Sequence, residues 1–133
     1  MKLVEQWVFP VPSNCISTGV SLTYEQGDAV LLFDYFDEEQ DDKVFNGGIR
    51  FISTIAHRHT SEKFTKYISG TYDKLVKIEE SNWVNELKEI SPEWAKNGLI
   101  HFALYLDSYG LFEFIAHEFH ILDIKEGILR EGV

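Results

Sequence analysis

Five histidines, one cysteine and a run of acidic side chains carry most of the chemistry open to this 133-residue chain. Three imidazoles fall within HFALYLDSYGLFEFIAHEFH, residues 101–120, as His101, His117 and His120, while His57 and His59 sit two apart in AHRHT. Imidazoles at close range ligate zinc or move protons near neutral pH. A catalytic zinc, however, needs three protein ligands and an open position, and the chain has neither HExxH nor a cysteine pair. No metal and no cofactor is therefore expected. Cys15, in PSNCIS, has no neighbouring cation to lower its thiol pKa and reads as inert. GxSxG, Walker and GxGxxG patterns are absent, and glutamate pairs such as Glu113 with Glu118 arise by chance among 22 carboxylates. No catalytic residue is assigned.

The other concentrated chemistry is DEEQDD, with Asp37, Glu38, Glu39, Asp41 and Asp42 in six positions. Their oxygens suit a hard cation, but the spacing is not that of an EF-hand loop and the closing glutamate is missing. They also suit a basic protein partner, since clustered charge speeds association and orients it. The plainest alternative is a solvated loop that keeps a sheet edge soluble.

Composition bounds these options. The 22 acidic against 12 basic residues leave a formal charge of −10, which repels phosphate backbones and anionic lipid, so nucleic acid and membrane are not expected partners. Hydrophobic residues make up 44% and aromatics 14%, enough for one core, and the chain reads as a single domain over residues 1–133. No apolar run reaches the ~20 residues of a membrane helix, and the apolar stretch in MKLVEQWVFPVPSN is too short for a signal peptide; a cytoplasmic protein is expected.

The elements that must position these groups are mostly strands. LVEQWVF (3–9) suits a first strand ended by Pro10 and Pro12. Strands are expected from Thr18 to Gln26 and over 29–36. A turn at Gly27-Asp28 sets Tyr24 opposite Leu31 and Leu22 opposite Phe33. DEEQDDKVFNGG reads as a loop, and a long strand follows from Ile49 to His59. Ser61 to Gly70 suits a short helical turn. Residues 71–79 read as a strand, exposed or at an edge because of Lys74 and Lys77. Trp83, Leu87 and Ile90 behind a Ser81 or Asn82 cap predict a helix over 82–90 packed through Trp83 and Leu87. SPEWAKNG suits one or two further helical turns, and residues 124–133 a tail. The resulting class is α+β: a mostly antiparallel sheet of about seven strands, as a sandwich or open barrel, with one main helix.

The hairpin over residues 101–120 admits a register argument. With Ser108-Tyr109-Gly110 as the loop, Asp107 pairs with Leu111, and Phe102, Leu104 and Leu106 meet Ala116, Phe114 and Phe112 on one apolar face. The reverse face then pairs Tyr105 with Glu113 and His101 with His117, Cβ atoms about 4.5–5.5 Å apart. His57 and His59 join them only if their strand lies alongside and turns the same face.

YDKLVKIEESNWVNELKEI and HFALYLDSYGLFEFIAHEFHIL resemble segments of small uncharacterised proteins of bacilli and related bacteria, in which an aromatic strand, a Trp-containing helix and a DSYG-type hairpin recur. The resemblance covers about the last two-thirds of the chain and transfers no functional residue. In size and charge the chain is also similar to the immunity proteins that neutralise bacterial toxins, many of them basic nucleases. The leading expectation is thus a non-enzymatic acidic protein that engages a basic protein partner through Asp37, Glu38, Glu39, Asp41 and Asp42. The alternative is a small-molecule binder or enzyme with an aromatic pocket and His101, Tyr105, Glu113 and His117 at its mouth. An exposed edge or the Trp7 segment would serve a dimer.

Overall fold

Apolar residues alternate along most of the chain, and two such half-apolar sheets reach water-free packing by laying those faces together. A computed structural model describes residues 2–66 and 70–129. Among the described residues ten strands form two five-stranded, mainly antiparallel sheets, with one α-helix. In the first sheet β1 (Lys2–Val8), β6 (Lys74–Glu79), β7 (Ile100–Leu106), β8 (Gly110–Ala116) and β5 (Ala56–Thr60) lie side by side in that order. In the second, β2 (Ile16–Glu25), β3 (Asp28–Asp37) and β4 (Lys43–Ile52) are neighbours, and the far edge of β4 takes both β9 (Glu118–Ile121) and β10 (Lys125–Glu126). Leu31, Phe33, Ile49 and Phe51 of one sheet meet Phe102, Leu104 and Phe114 of the other in a single buried cluster. Phe51 stacks on Phe114 with ring centroids 3.9 Å apart.

The expectation of about seven strands is corrected to ten in two layers: β10 forms in the expected tail, and a corner that splits two expected strands accounts for the other two. The strand anticipated from Ile49 to His59 breaks at Ser53, whose φ is +51°, and resumes as β5 in the other sheet. The second arm of the C-terminal hairpin crosses in the same place: β8 ends at Ala116, His117 donates its N–H to Ile52 O, and β9 continues beside β4. The β2–β3 turn buttresses this corner, where Asp28 Oδ1 accepts from Ser53 N and Thr54 Oγ1 accepts from Ala29 N.

Both hairpins keep their expected faces but not their registers. The first turns at Gln26-Gly27, both at positive φ, so Leu22 meets Leu31 and Val20 meets Phe33. In the second, Tyr109 N–H bonds to Leu106 O, Leu106 pairs with Gly110, and Phe102 with Phe114. Each differs from expectation by two residues, the shift that leaves every side chain on its own face.

Other expectations change for equally local reasons. Asn46, Gly47 and Gly48 are strand residues of β4 and do not belong to a loop; a Cβ on Gly48 would lie 2.7 Å from Leu31 O, so glycine answers a close approach. β6 is interior, with Leu75, Val76 and Ile78 buried despite its lysines. Residues 125 and 126 return to β4 as β10, so the tail expected from residue 124 is not seen there; residues 130–133 lie outside the described ones. A 3-10 turn covers Glu62–Phe64, while residues 67–69 of the expected helical turn are likewise outside. The helix α1 spans Asn82–Ile90 as expected, capped by Ser81, but Val84 is its buried residue and Trp83 and Leu87 are half-buried. Among the described residues no helix is long and apolar enough to cross a membrane.

Gly110 tests the register. It sits at φ +93°, and a Cβ there would meet Thr60 O at 2.1 Å. Gly110→Ala is expected to destabilise the fold by about 3 kcal/mol through strain and overpacking, read as a lower urea midpoint at unchanged slope.

Candidate functional site

The pairing of β5 with β8 puts Arg58 opposite Glu113, and the pairing of β7 with β8 puts His101 opposite Ile115, one diagonal step from the same glutamate. All three face outward from the first sheet, beneath the start of α1. Arg58 grips Glu113 through Nε at 2.6 Å and Nη2 at 3.0 Å, a bidentate pair. Its guanidinium carbon lies 4.2 Å from the centre of the Trp83 ring, which also meets the His101 ring edge-on. His101 Nε2 is 2.9 Å from Glu113 Oε1, and Nδ1 is 2.7 Å from Ser81 Oγ. Ser81, His101 and Glu113 are only 6%, 5% and 4% exposed.

The protons follow from this geometry. Glu113 as a carboxylate only accepts, so Nε2 carries the hydrogen. With the hydrogen on Nε2, Nδ1 is the ring atom that accepts the Ser81 hydroxyl proton. Ser81 Oγ in turn accepts from Val84 N–H at 3.2 Å as the helix cap. Burial pushes the Glu113 carboxyl up, but hydrogen bonds from His101 and Arg58, with the guanidinium charge, outweigh it and hold it at about 2.

Of the residues expected at an aromatic pocket, the structure brings His101 and Glu113 into contact and separates the others. His117 is not across from His101. It stands at the corner, where its Nδ1 bonds to Asn97 O at 3.0 Å. Tyr105 is on the same face as His101 but pairs with Leu111 and stacks on Tyr72. β5 does lie beside the hairpin, yet with Arg58 on the His101 face, His57 and His59 fall on the other, against Phe114 and Phe112. His57 Nδ1 bonds to Tyr24 OH and His59 Nε2 to Tyr109 O. Among the described residues no three His, Cys, Asp or Glu side chains gather to hold a metal ion.

Arg58, Ser81 and Trp83 were not anticipated as a group. Ser81 and Trp83 were visible as a cap and a helix-face residue, but Arg58 reaches Glu113 across 55 positions of sequence, where no local pattern exists. Asp34 was also missed. Fully buried in β3, it accepts from Thr18 N and Oγ1, Gly19 N and Leu129 N. Burial pushes its carboxyl up, and these donors more than compensate and hold it below the usual range. Its role is to tie the irregular start of β2 and the C-terminal segment to β3.

The acidic residues form a tight turn between β3 and β4. Asp37 is spent on that turn, its side chain accepting from Glu39 N and Gln40 Nε2. Asp41 and Asp42 follow at φ +56° and +57°, and Glu38, Glu39, Asp41 and Asp42 are exposed. Beside the turn lies a cleft of about 450 Å³ with Pro10, Val11, Pro12 and Phe36 as apolar lining and Asp37, Glu38 and Glu39 as acidic lining. Cys15 also borders it. Burial pushes this thiol up, and the field of Glu38, Asp37 and Asp42 pushes it further, so it stays protonated near neutral pH.

No family model, no curated protein and no solved structure matches the chain.

Two measurements check the buried group. A glutamate whose folded pKa lies below its unfolded value stabilises the fold above the unfolded pKa and loses that contribution as pH falls through the folded one. The loss from Glu113 is therefore expected between about pH 5 and about 2. Glu113→Gln should cost about 2 kcal/mol at pH 7, toward the low side for a buried pair because Arg58 is half exposed, and should make the acid limb of the stability profile shallower. Long-range proton–nitrogen NMR of His101 should place a ring hydrogen on Nε2, the nitrogen that faces Glu113.

Proposed function

We propose that the chain is an acidic binding protein that takes a basic protein partner at the turn between β3 and β4 and the cleft beside it. The observation that carries this reading is the conjunction in that cleft of an apolar lining, Pro10, Val11, Pro12 and Phe36, with the carboxylates of Glu38 and Glu39. Lysine and arginine side chains have apolar stems and cationic heads, and such a cleft accepts both parts at once. Asp41 and Asp42 extend the negative field past the cleft, and the formal charge of −10 adds a long-range attraction for a cationic surface. The core between the sheets is filled, with Phe33, Phe51, Phe102 and Phe114 at most 1% exposed, which argues against a ligand cavity in the sandwich. A toxin neutralised by an immunity protein is the class of partner that the acidic charge and small size fit.

The test is kinetic. With a basic protein toxin as the partner, the association rate is expected to fall about tenfold between low and high salt, and to fall similarly in Glu38→Lys/Glu39→Lys, while dissociation changes less. An association rate indifferent to both salt and charge reversal would show the electrostatic reading to be wrong.

A further inference from the structure

We propose that Ser81 is an acyl-accepting nucleophile, served by His101 as general base, that cleaves short-chain carboxylic esters. This departs from the non-enzymatic expectation and concerns the first sheet, so it stands or falls independently of the acidic turn. Three observations carry it. The first is the buried chain of contacts: Ser81 Oγ is 2.7 Å from His101 Nδ1, His101 Nε2 is 2.9 Å from Glu113 Oε1, and Arg58 fixes Glu113; with the ring hydrogen on Nε2, facing the carboxylate, Nδ1 is the acceptor for the Ser81 hydroxyl. A serine, an imidazole and an orienting carboxylate in that order form the arrangement that activates a hydroxyl, here with the two ring nitrogens exchanged relative to the usual serine-hydrolase triad.

The second is the local fold. β6 ends at Glu79, Glu80 turns the chain at φ +59°, Ser81 follows, and α1 begins at once. A sharp strand-to-helix turn is how a nucleophilic serine is presented at the head of a helix. The amide groups of Asn82 and Trp83 open that helix, where N–H groups have no intrahelical acceptor and are suited to a developing oxyanion. The third is space. Ser81 and His101 line two adjoining clefts, one of about 370 Å³ bordered by Lys77, Val84 and Ile100, the other of about 180 Å³ bordered by Trp83, Ile78 and Arg58. The smaller has room for a short acyl chain against Trp83 and Ile78, and the larger leaves the alcohol a way out.

In the reaction, Ser81 Oγ bonds to the ester carbonyl carbon as its proton passes to His101 Nδ1, and the carbonyl electrons move onto oxygen. The oxyanion collapses, the bond to the alcohol breaks, and the alcohol leaves with the proton from Nδ1. Water then attacks the acyl-serine by the same route, giving the carboxylic acid and free Ser81. Glu113 stays ionised throughout and holds Nε2–H.

The experiment is labelling of the full chain with a short-alkyl fluorophosphonate, in which the Ser81 oxygen–phosphorus bond forms and fluoride leaves, read by intact mass and peptide mapping, beside hydrolysis of p-nitrophenyl butyrate. The folded protein is expected to take one label, on Ser81, and the urea-unfolded protein none. Ser81→Asn keeps an acceptor for the helix cap and should abolish both labelling and hydrolysis with α1 intact by circular dichroism. His101→Gln should slow labelling about 100-fold or more. A folded wild-type chain that stays unlabelled, a label placed elsewhere, or hydrolysis that persists in Ser81→Asn would each overturn the proposal.

Discussion

The corner at Ser53–Ile55 and His117 is the constraint on which the molecule turns. Two neighbouring segments cross from one sheet to the other at the same level, so β4 pairs with β9 in one layer while their continuations, β5 and β8, pair in the other. Because the segments cross together, antiparallel pairing continues on both sides of the bend, and at the bend itself Ile55 N–H bonds to Ile115 O and His117 N–H to Ile52 O. The apolar faces of the two halves are thereby folded onto one another, and Phe51 comes to rest on Phe114. The same crossing delivers Arg58 to Glu113. Without it β5 would extend the second sheet, and the glutamate beneath α1 would have no cation.

Charge is handled in two ways in this acidic chain. Asp34 and Glu113 are out of water and fully engaged, one by backbone and hydroxyl donors, the other by a guanidinium and an imidazole. In both, the donors outweigh the burial penalty, so each stays ionised, and each links segments distant in sequence. The exposed acids do the reverse. Glu38, Glu39, Asp41 and Asp42 have no comparable donors in the turn they occupy, and their field projects into solvent beside an apolar cleft. Carboxylates of the first kind build the structure; those of the second are available to something else.

The helix is held on the same logic. Its cap, Ser81, bonds to Val84 N–H and to His101, so the residue that starts the helix also fastens it to the sheet. Trp83 closes the group from above by covering Arg58. A nine-residue helix is marginal alone, and these polar anchors supplement the burial of Val84.

Alternation of apolar and polar residues was enough to determine that the chain is β-rich and which residues share a face: Phe102, Leu104, Phe112 and Phe114 are together in the core whichever register is assumed. The helix over 82–90 and a cap at Ser81 or Asn82 were legible too, because capping acts within four residues, and the structure selects Ser81. What the sequence left open was everything of period two and everything at long range. A two-residue shift costs a strand no facial consistency, so only the turns, Gln26-Gly27 and the one closed by Tyr109 N–H to Leu106 O, selected the registers, and with them separated His101 from His117. The corner at Ser53 interrupts a strand whose pattern reads as continuous, and the union of Arg58, Ser81, His101 and Glu113 spans three strands and the cap of α1, with no local rule bringing Arg58 or Ser81 to the hairpin. Tertiary structure decided these, because a buried charge selects its partner by proximity in space, and proximity is created only when the sheets close.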